Sequence, residues 1–372
     1  MNPPDSSLSR RSFLQASTMA SAAFALHAIT EPMLAYAAAP SHPSGAVLIN
    51  ANENPLGPCA PAREAVAAIT PQSGRYLFEL ADALEKQFAQ SVGVSAEQVA
   101  IYAGSTPPLN FTVREFCSPR ASYVTADPGF EAGMFAAEKV SARVIKVPLT
   151  KAYAHDVKAM LAAGPDVGIF YVCNPNNPTG TLTSLSDIEY LVEKKPKTSI
   201  VLVDEAYIHF SDAPSAIELV KAGKDVIVLR TFSKLYGMAG LRCGFAIARP
   251  DLLDRIHNYG GFNFMPVTAV AAASASLNDA TLVAKRKQIN AQVRAATFEW
   301  LDRHGYSYIP SVSNCFLLDT KHEAKAVIAA MAKENVVIGR VWPSMPSYTR
   351  ITVGTSDEME RFQQALQTVM KG

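Results

Sequence analysis

Three short segments of this 372-residue chain concentrate the side chains that could do chemistry. In Thr231-Phe232-Ser233-Lys234, two hydroxyls precede an amine, and Arg242 stands eight residues past the lysine. Hydroxyls beside a lysine and an arginine make an anchor for a phosphate, whereas a lone Ser-Lys is usually a solvated turn. Asp204-Glu205-Ala206-Tyr207 follows the apolar run Ile200-Val201-Leu202-Val203. A carboxylate there is costly to bury unless something cationic meets it. Asn174-Pro175-Asn176-Asn177-Pro178-Thr179-Gly180 is the third segment. Its prolines and glycine make a tight loop and leave the Asn177 amide for a ligand; taken alone, it is more often an ordinary polar turn.

Each segment directly follows a β-branched run, so the elements around them matter. Residues 99–103, 123–126, 144–147, 167–173, 200–204, 226–231 and 243–248 read as seven strands. Segments with helical spacing lie between them, for example 109–117, 130–138 and 186–194. Strands apolar on both faces and spaced by helices indicate an α/β fold with a mostly parallel sheet covered on two sides. Ligands in such sheets sit beyond the carboxyl ends of the strands. After residue 265 the pattern changes: a long helix over 279–303, a strand over 315–319, a helix over 323–333, a strand over 350–353 and a last helix from Asp357. That order predicts a smaller α+β domain at the C-terminus.

Taken together, the motifs resemble the fold-type I pyridoxal-phosphate-dependent aminotransferases of class I/II, in the branch that contains histidinol-phosphate aminotransferase. The three segments and Gly240-Leu241-Arg242 stand in that family's order and spacing. So do Asn50-Ala51-Asn52-Glu53-Asn54-Pro55 and Arg350-Ile351-Thr352-Val353-Gly354-Thr355, and the likeness covers about residues 45–370. It implies the pyridoxal-phosphate transferase fold, with an arm over 38–59 joining the small domain, a large cofactor-binding domain over 60–270 and a small domain over 271–372.

The resemblance also implies roles. Lys234 is expected to form the Schiff base with pyridoxal 5′-phosphate and then to shuttle a proton, which an amine does well where burial and nearby cations lower its basicity. Asp204 is expected to pair with the pyridine nitrogen and keep it protonated, so that the ring accepts electrons. Asn177 and Tyr207 are expected to hydrogen-bond the ring's phenolic oxygen, and Phe130, in Asp127-Pro128-Gly129-Phe130, to stack on the ring; by itself Phe130 is plain core packing. The phosphate is expected at the backbone amides of Ser105 and Thr106, at a helix N-terminus, with Thr231, Ser233 and Arg242. Pro107-Pro108 departs from the family pattern and withholds amide donors. Tyr76, after Arg75, matches a tyrosine that reaches the neighbouring protomer's phosphate, which implies a homodimer with shared sites. The family's usual proline is absent, and Phe78 stands there.

Arg350 matches the arginine that grips the substrate's anionic end bidentately. Arg340 stands where histidinol-phosphate enzymes place a second arginine, ten residues before Arg350, and as a lone residue it is equally a surface cation. The function expected is transfer of an amino group between an amino acid or related amine and a 2-oxo acid. Two alternatives stay open: true histidinol-phosphate transamination, and a lyase of the same fold such as a phospho-amino-acid decarboxylase. A regulator carrying this fold would need a helix-turn-helix ahead of it, and the sequence has a different segment there.

That segment is residues 1–37. Ser9-Arg10-Arg11-Ser12-Phe13-Leu14 is a twin-arginine pair, an uncharged stretch follows to Thr30, and Ala35-Tyr36-Ala37 offers small residues for cleavage. The order fits a twin-arginine export signal and a periplasmic destination, with cleavage or anchoring left open. Such export carries folded proteins, which suits an enzyme that gains its cofactor first. Biosynthesis of histidine is cytoplasmic, so the signal weighs against that role. Lys plus Arg is 34 and Asp plus Glu is 33, a net charge of +1 that offers no field for nucleic acid. The five cysteines stand singly, so no zinc or iron–sulfur site, and no metal, is expected.

Overall fold

The computed structural model describes residues 45–260 and 264–371. The export segment expected over 1–37, and the first part of the expected arm, lie outside the described residues. The arm contributes β1 (Val47–Ile49). The chain then forms β2 (Val99–Tyr102), β3 (Ser122–Asp127), β4 (Val144–Pro148), β5 (Val167–Cys173), β6 (Ile200–Asp204), β7 (Val226–Thr231) and β8 (Gly244–Ile247). These last seven make one sheet in the order β2-β8-β7-β6-β5-β3-β4. β8 runs antiparallel to both neighbours, and the remaining neighbours are parallel.

Apolar runs without polar alternation must be buried on both faces, and β5, β6 and β7 are buried at every position. Their alternate side chains enter two cores. Phe170, Val172, Val201 and Val203 pack on one face, and Ile169, Tyr171, Ile200 and Leu202 on the other. Each such aliphatic burial is worth about 1.5–3 kcal/mol, which fixes the strand ends and the loops that leave them.

The helices that cover the sheet are α1 (Ala60–Ile69), α2 (Phe78–Val92), α3 (Thr106–Phe116), α4 (Ala132–Lys139), α5 (Val157–Leu161), α6 (Leu185–Lys194), α7 (Ile217–Lys221), α8 (Pro250–His257) and α9 (Val267–Asn278). Ser184 caps α6 by accepting from the Asp187 amide, and α2 ends at Gly93 in the left-handed conformation. The long helix expected over 279–303 begins later, as α10 (Leu282–Arg303). The Asp279 carboxylate accepts from the Thr281 amide and hydroxyl, closing a turn that separates α10 from the alanine-rich α9. α9 packs on α1 and α2 and so belongs with the large sheet.

The C-terminal part holds β9 (Ser307–Ile309), β10 (Cys315–Asp319), α11 (Ala324–Lys333), β11 (Val336–Ile338), β12 (Tyr348–Thr352) and α12 (Ser356–Lys371). β12, β10 and β9 form an antiparallel sheet, while β11 pairs in parallel with β1 from the arm. Val47 and Ile49 of β1 share a core with Phe316, Ile351 and Phe362. This tethers the arm to the small domain and brings Asn50–Pro55 toward the large sheet.

Candidate active site

Strand register lines up the chemistry. Cys173 pairs with Asp204, and Asp204 with Leu229, so β5, β6 and β7 end nearly level. The loop from Asn174, the turn from Glu205 and the segment Phe232–Lys234 therefore leave the sheet side by side. β3, the neighbour of β5 on its other side, ends at Asp127 and leads into Pro128-Gly129-Phe130. Four loops thus meet at the carboxyl edge, where a parallel sheet binds its ligands.

Asp204 is the buried acid of the group, 3% exposed. Its Oδ2 accepts from the Tyr171 hydroxyl at 3.0 Å and its Oδ1 from the Ala206 amide at 3.1 Å. Burial pushes its pKa up to about 6, against the opposing pull of the Tyr171 and Ala206 hydrogen bonds and the Lys234 charge. Among the described residues no ion pair reaches it. A carboxylate held this way favours a cationic hydrogen-bond donor. Its neighbour Glu205 is answered within the protein: Arg230 Nε lies 2.8 Å from Glu205 Oε2, with Ser215 and the Ala216 amide completing the set.

Arg242 gathers the second cluster. It adopts the left-handed conformation at φ 68°. Its guanidinium donates to Ser233 Oγ at 3.3 Å, to the Ala239 carbonyl at 2.8 Å and to the Ala103 carbonyl at 3.2 Å. Thr231 Oγ1 donates to Ser233 Oγ at 2.9 Å. Gly104, at φ 93°, makes the approach possible, because a Cβ there would meet Arg242 Nη2 at 2.2 Å. Directly after it, Ser105 is the N-cap of α3, and its side chain caps nothing. Thr231, Ser233, Arg242 and the start of α3 are thus brought to one place. Pro107 and Pro108 occupy the first turn of α3 and contribute no amide hydrogen.

The third cluster joins the two parts of the chain. Arg350, in β12 and fully buried, donates to Asn177 Oδ1 at 2.9 Å and to the Asn50 carbonyl at 2.7 Å. Asn52, held at φ 52°, donates through Nδ2 to the Tyr207 hydroxyl at 3.0 Å. Lys234 Nζ donates to the Ala51 carbonyl at 3.4 Å and lies 5.5 Å from the centre of the Tyr207 ring. Lys234, Tyr207, Asn177 and Arg350 therefore all contact the arm segment or one another.

Phe130 is half-buried against the core that holds Tyr171 and Tyr207. Arg340 is ion-paired with Glu131 and stacks 4.5 Å from the Trp342 ring. Tyr76 is not brought to the Arg242 cluster within this chain. It is 68% exposed and stacks on Phe78 and Phe264 at the surface. Sequence reasoning missed Tyr171 and Glu131, and Asn52 stood out only as one member of a motif. Tyr171 stands two residues before the end of β5, on the face that Cys173 shares with Asp204; that alternation was the available signal.

The comparisons with known proteins agree with this architecture. Residues 44–366 match the model of the family Aminotransferase class I and II. The chain is 32% identical over 338 residues to a histidinol-phosphate aminotransferase of Moorella thermoacetica, covering 87% of this chain and 85% of that protein. It is 32% identical over 336 residues to an aromatic amino acid aminotransferase of Cutibacterium acnes, covering 89% and 95%. The crystal structure of histidinol-phosphate aminotransferase from Sinorhizobium meliloti in complex with pyridoxal-5′-phosphate superposes with a TM-score of 0.79 at 27% identity, covering 87% of this chain and 90% of that one. With the family model spanning both the large sheet and the small domain, this chain belongs to the class I and II aminotransferases and is a pyridoxal 5′-phosphate-dependent transaminase.

Proposed function

We propose that Lys234 would hold the cofactor at its aldehyde through Nζ, and that the same amine would carry the proton taken from the substrate's Cα. Pyridoxal phosphate, when bound, supplies a ring that takes up the electron pair released as Cα loses its proton. The residues present fit that group. Asp204 is a buried carboxylate with neutral hydrogen bonds and room in its chemistry for one cationic N–H, and a protonated pyridine nitrogen is such a donor. Arg242, Ser233 and Thr231, which already contact one another, would hold the phosphate together with the amides of Ser105 and Thr106. Tyr207 and Asn177 would donate to the ring's phenolic oxygen, and Phe130 would cover the ring face.

Arg350 receives the substrate's α-carboxylate. Its guanidinium is already oriented by Asn177 and Asn50, so little side-chain freedom is lost on binding. The donor proposed is an amino acid or related amine, and the acceptor a 2-oxo acid. The observation that carries this assignment is the placement of buried Asp204 at the end of β6 and of Lys234 just past the end of the adjacent β7, with Arg350 anchored on Asn177 of the loop after β5. Borohydride reduction followed by peptide mass spectrometry tests it: the cofactor adduct is expected on Lys234, and an adduct elsewhere or none refutes it.

A second reading has support in the curated relatives, several of which are histidinol-phosphate aminotransferases. A screen of amino donors including histidinol phosphate decides between them; turnover confined to histidinol phosphate selects the second. The twin-arginine pair with its uncharged stretch supports export to the periplasm by the twin-arginine machinery, as a folded holoenzyme. The exposed aromatic patch of Tyr76, Phe78 and Phe264 supports a homodimer in which Tyr76 reaches the partner's phosphate. Sedimentation of the wild type and Tyr76→Ala, with cofactor affinity measured on both, tests that arrangement.

A further inference from the structure

Between the large sheet and the small domain, two loops face each other in opposite directions with a two-residue step. Asp127 Oδ1 accepts from Ser344 Oγ at 2.8 Å, the Gly129 carbonyl accepts from Trp342 Nε1 at 3.0 Å, and the Glu131 carboxylate pairs with the Arg340 guanidinium. The middle contact is buried, with Trp342 only 2% exposed. The Glu131–Arg340 pair is mostly covered as well, at 24% and 21% exposed. A pair so shielded from water couples more strongly than one on an open surface.

The Trp342 ring is also shared. Arg340 stacks 4.5 Å from its centre and Arg350 lies 5.7 Å away. Arg340 is therefore the next cation along from the carboxylate anchor, on the same indole. A donor seated on Arg350 that extends toward Arg340 meets an indole and a charge-balanced pair. A phosphate at its far end would have to displace the Glu131 carboxylate from Arg340 and would face that carboxylate's repulsion.

We propose that Glu131 is a specificity-determining residue: by occupying Arg340 it directs this transaminase to donors whose side chain is uncharged, and against donors that carry a distal phosphate. The inference rests on the reading of Arg350 as the carboxylate anchor. Glu131 acts through Arg340 on the choice of donor and takes no part in the proton transfer at Lys234.

The experiment compares L-methionine with O-phospho-L-homoserine, donors of equal chain length with neutral and phosphorylated ends. The specificity ratio is kcat/KM for the phosphorylated donor over that for methionine. It is measured for the wild type, Glu131→Gln, Arg340→Met and the double variant. The wild type is expected to favour methionine. E131Q is expected to raise the ratio by at least about tenfold, and adding R340M should return it to near the wild-type value. R340M alone should lower the ratio below the wild-type value, since it leaves the Glu131 carboxylate unpaired against the phosphate. If E131Q is not recovered folded, Glu131→Ser carries the same comparison. An unchanged ratio in E131Q overturns the proposal. So does a wild type that favours the phosphorylated donor and loses that preference in R340M. Absence of turnover on both donors overturns the donor class, whereas a missing cofactor label at Lys234 indicts the assignment of the catalytic lysine instead.

Discussion

Arg350 donates to the side-chain oxygen of Asn177 at 2.9 Å, joining residues 173 positions apart in the chain. One belongs to a strand of the small domain and the other to the loop after β5. The contact means that the proposed substrate anchor and the proposed cofactor contact are set by each other. A fully buried guanidinium without this acceptor loses a charge-assisted hydrogen bond, worth about 1.5–3 kcal/mol.

Asn177→Ala is accordingly expected to lower kcat/KM for the preferred amino donor by about 10–100-fold, with most of the loss in KM. Arg350→Lys should cost at least as much, because an ammonium lacks the fork that meets a carboxylate bidentately. Steady-state kinetics over a range of donor concentrations reads both effects. An unaltered KM in Asn177→Ala would show that the anchor does not need its amide partner.

Asp204 sets function against stability. Its carboxyl is easier to protonate in the fold than in the unfolded chain, with a pKa raised by burial to about 6. The group therefore contributes its full stability only at low pH and loses it as pH rises through about 6. At neutral pH, Asp204→Asn should stabilise the cofactor-free protein by roughly 1–3 kcal/mol, since the buried charge is gone while Tyr171 keeps an acceptor. Transamination should fall by at least about a hundredfold, because an amide does not hold a proton on a pyridine nitrogen. Thermal unfolding of the cofactor-free proteins, with activity measured separately, tests both halves. A destabilised and fully active variant would remove Asp204 from its role.

Two histidines, the buried His155 and the half-buried His209, tilt the pH dependence the other way. His155, whose Nε2 lies 3.2 Å from the Cys173 carbonyl, is lowered to about 4 by burial. His209, whose Nε2 lies 3.0 Å from Arg230 Nη1, is lowered to about 3 by burial and then by that arginine's charge. Both stay neutral in the fold while the unfolded chain takes up protons below about pH 6.5. Their contribution is present above that pH and is lost as the solution is acidified through this window. Denaturant midpoints between pH 7 and 4.5 should fall, and His209→Gln should flatten the slope. The same slope in the variant would exclude His209 as its source.

Exchange of Arg10-Arg11 for Lys-Lys tests the destination. The altered full-length protein is expected to accumulate in the cytoplasmic fraction as active enzyme, while the unaltered chain reaches the periplasmic fraction. Equal distribution of the two would exclude the twin-arginine route.

The amino-acid sequence by itself determined the strands that carry the site. The limits of β5, β6 and β7 are visible because an apolar run buried on both faces ends where polar residues begin, and those ends carry the residues proposed for the cofactor chemistry. The order of Asn177, Asp204, Lys234 and Arg242 along the chain is likewise local information. The three-residue strands β1, β9 and β11 escape such reading, since three residues are too few to show a period. So does the turn at Asp279, which depends on one side chain bonding its neighbour two residues on. What tertiary structure alone decided are the partnerships: Arg350 with Asn177, Asn52 with Tyr207, Tyr171 with Asp204, and Arg340 with Glu131. Each joins separate elements, and a side chain's charge and hydrogen bonds acquire meaning only from the group that folding sets against it.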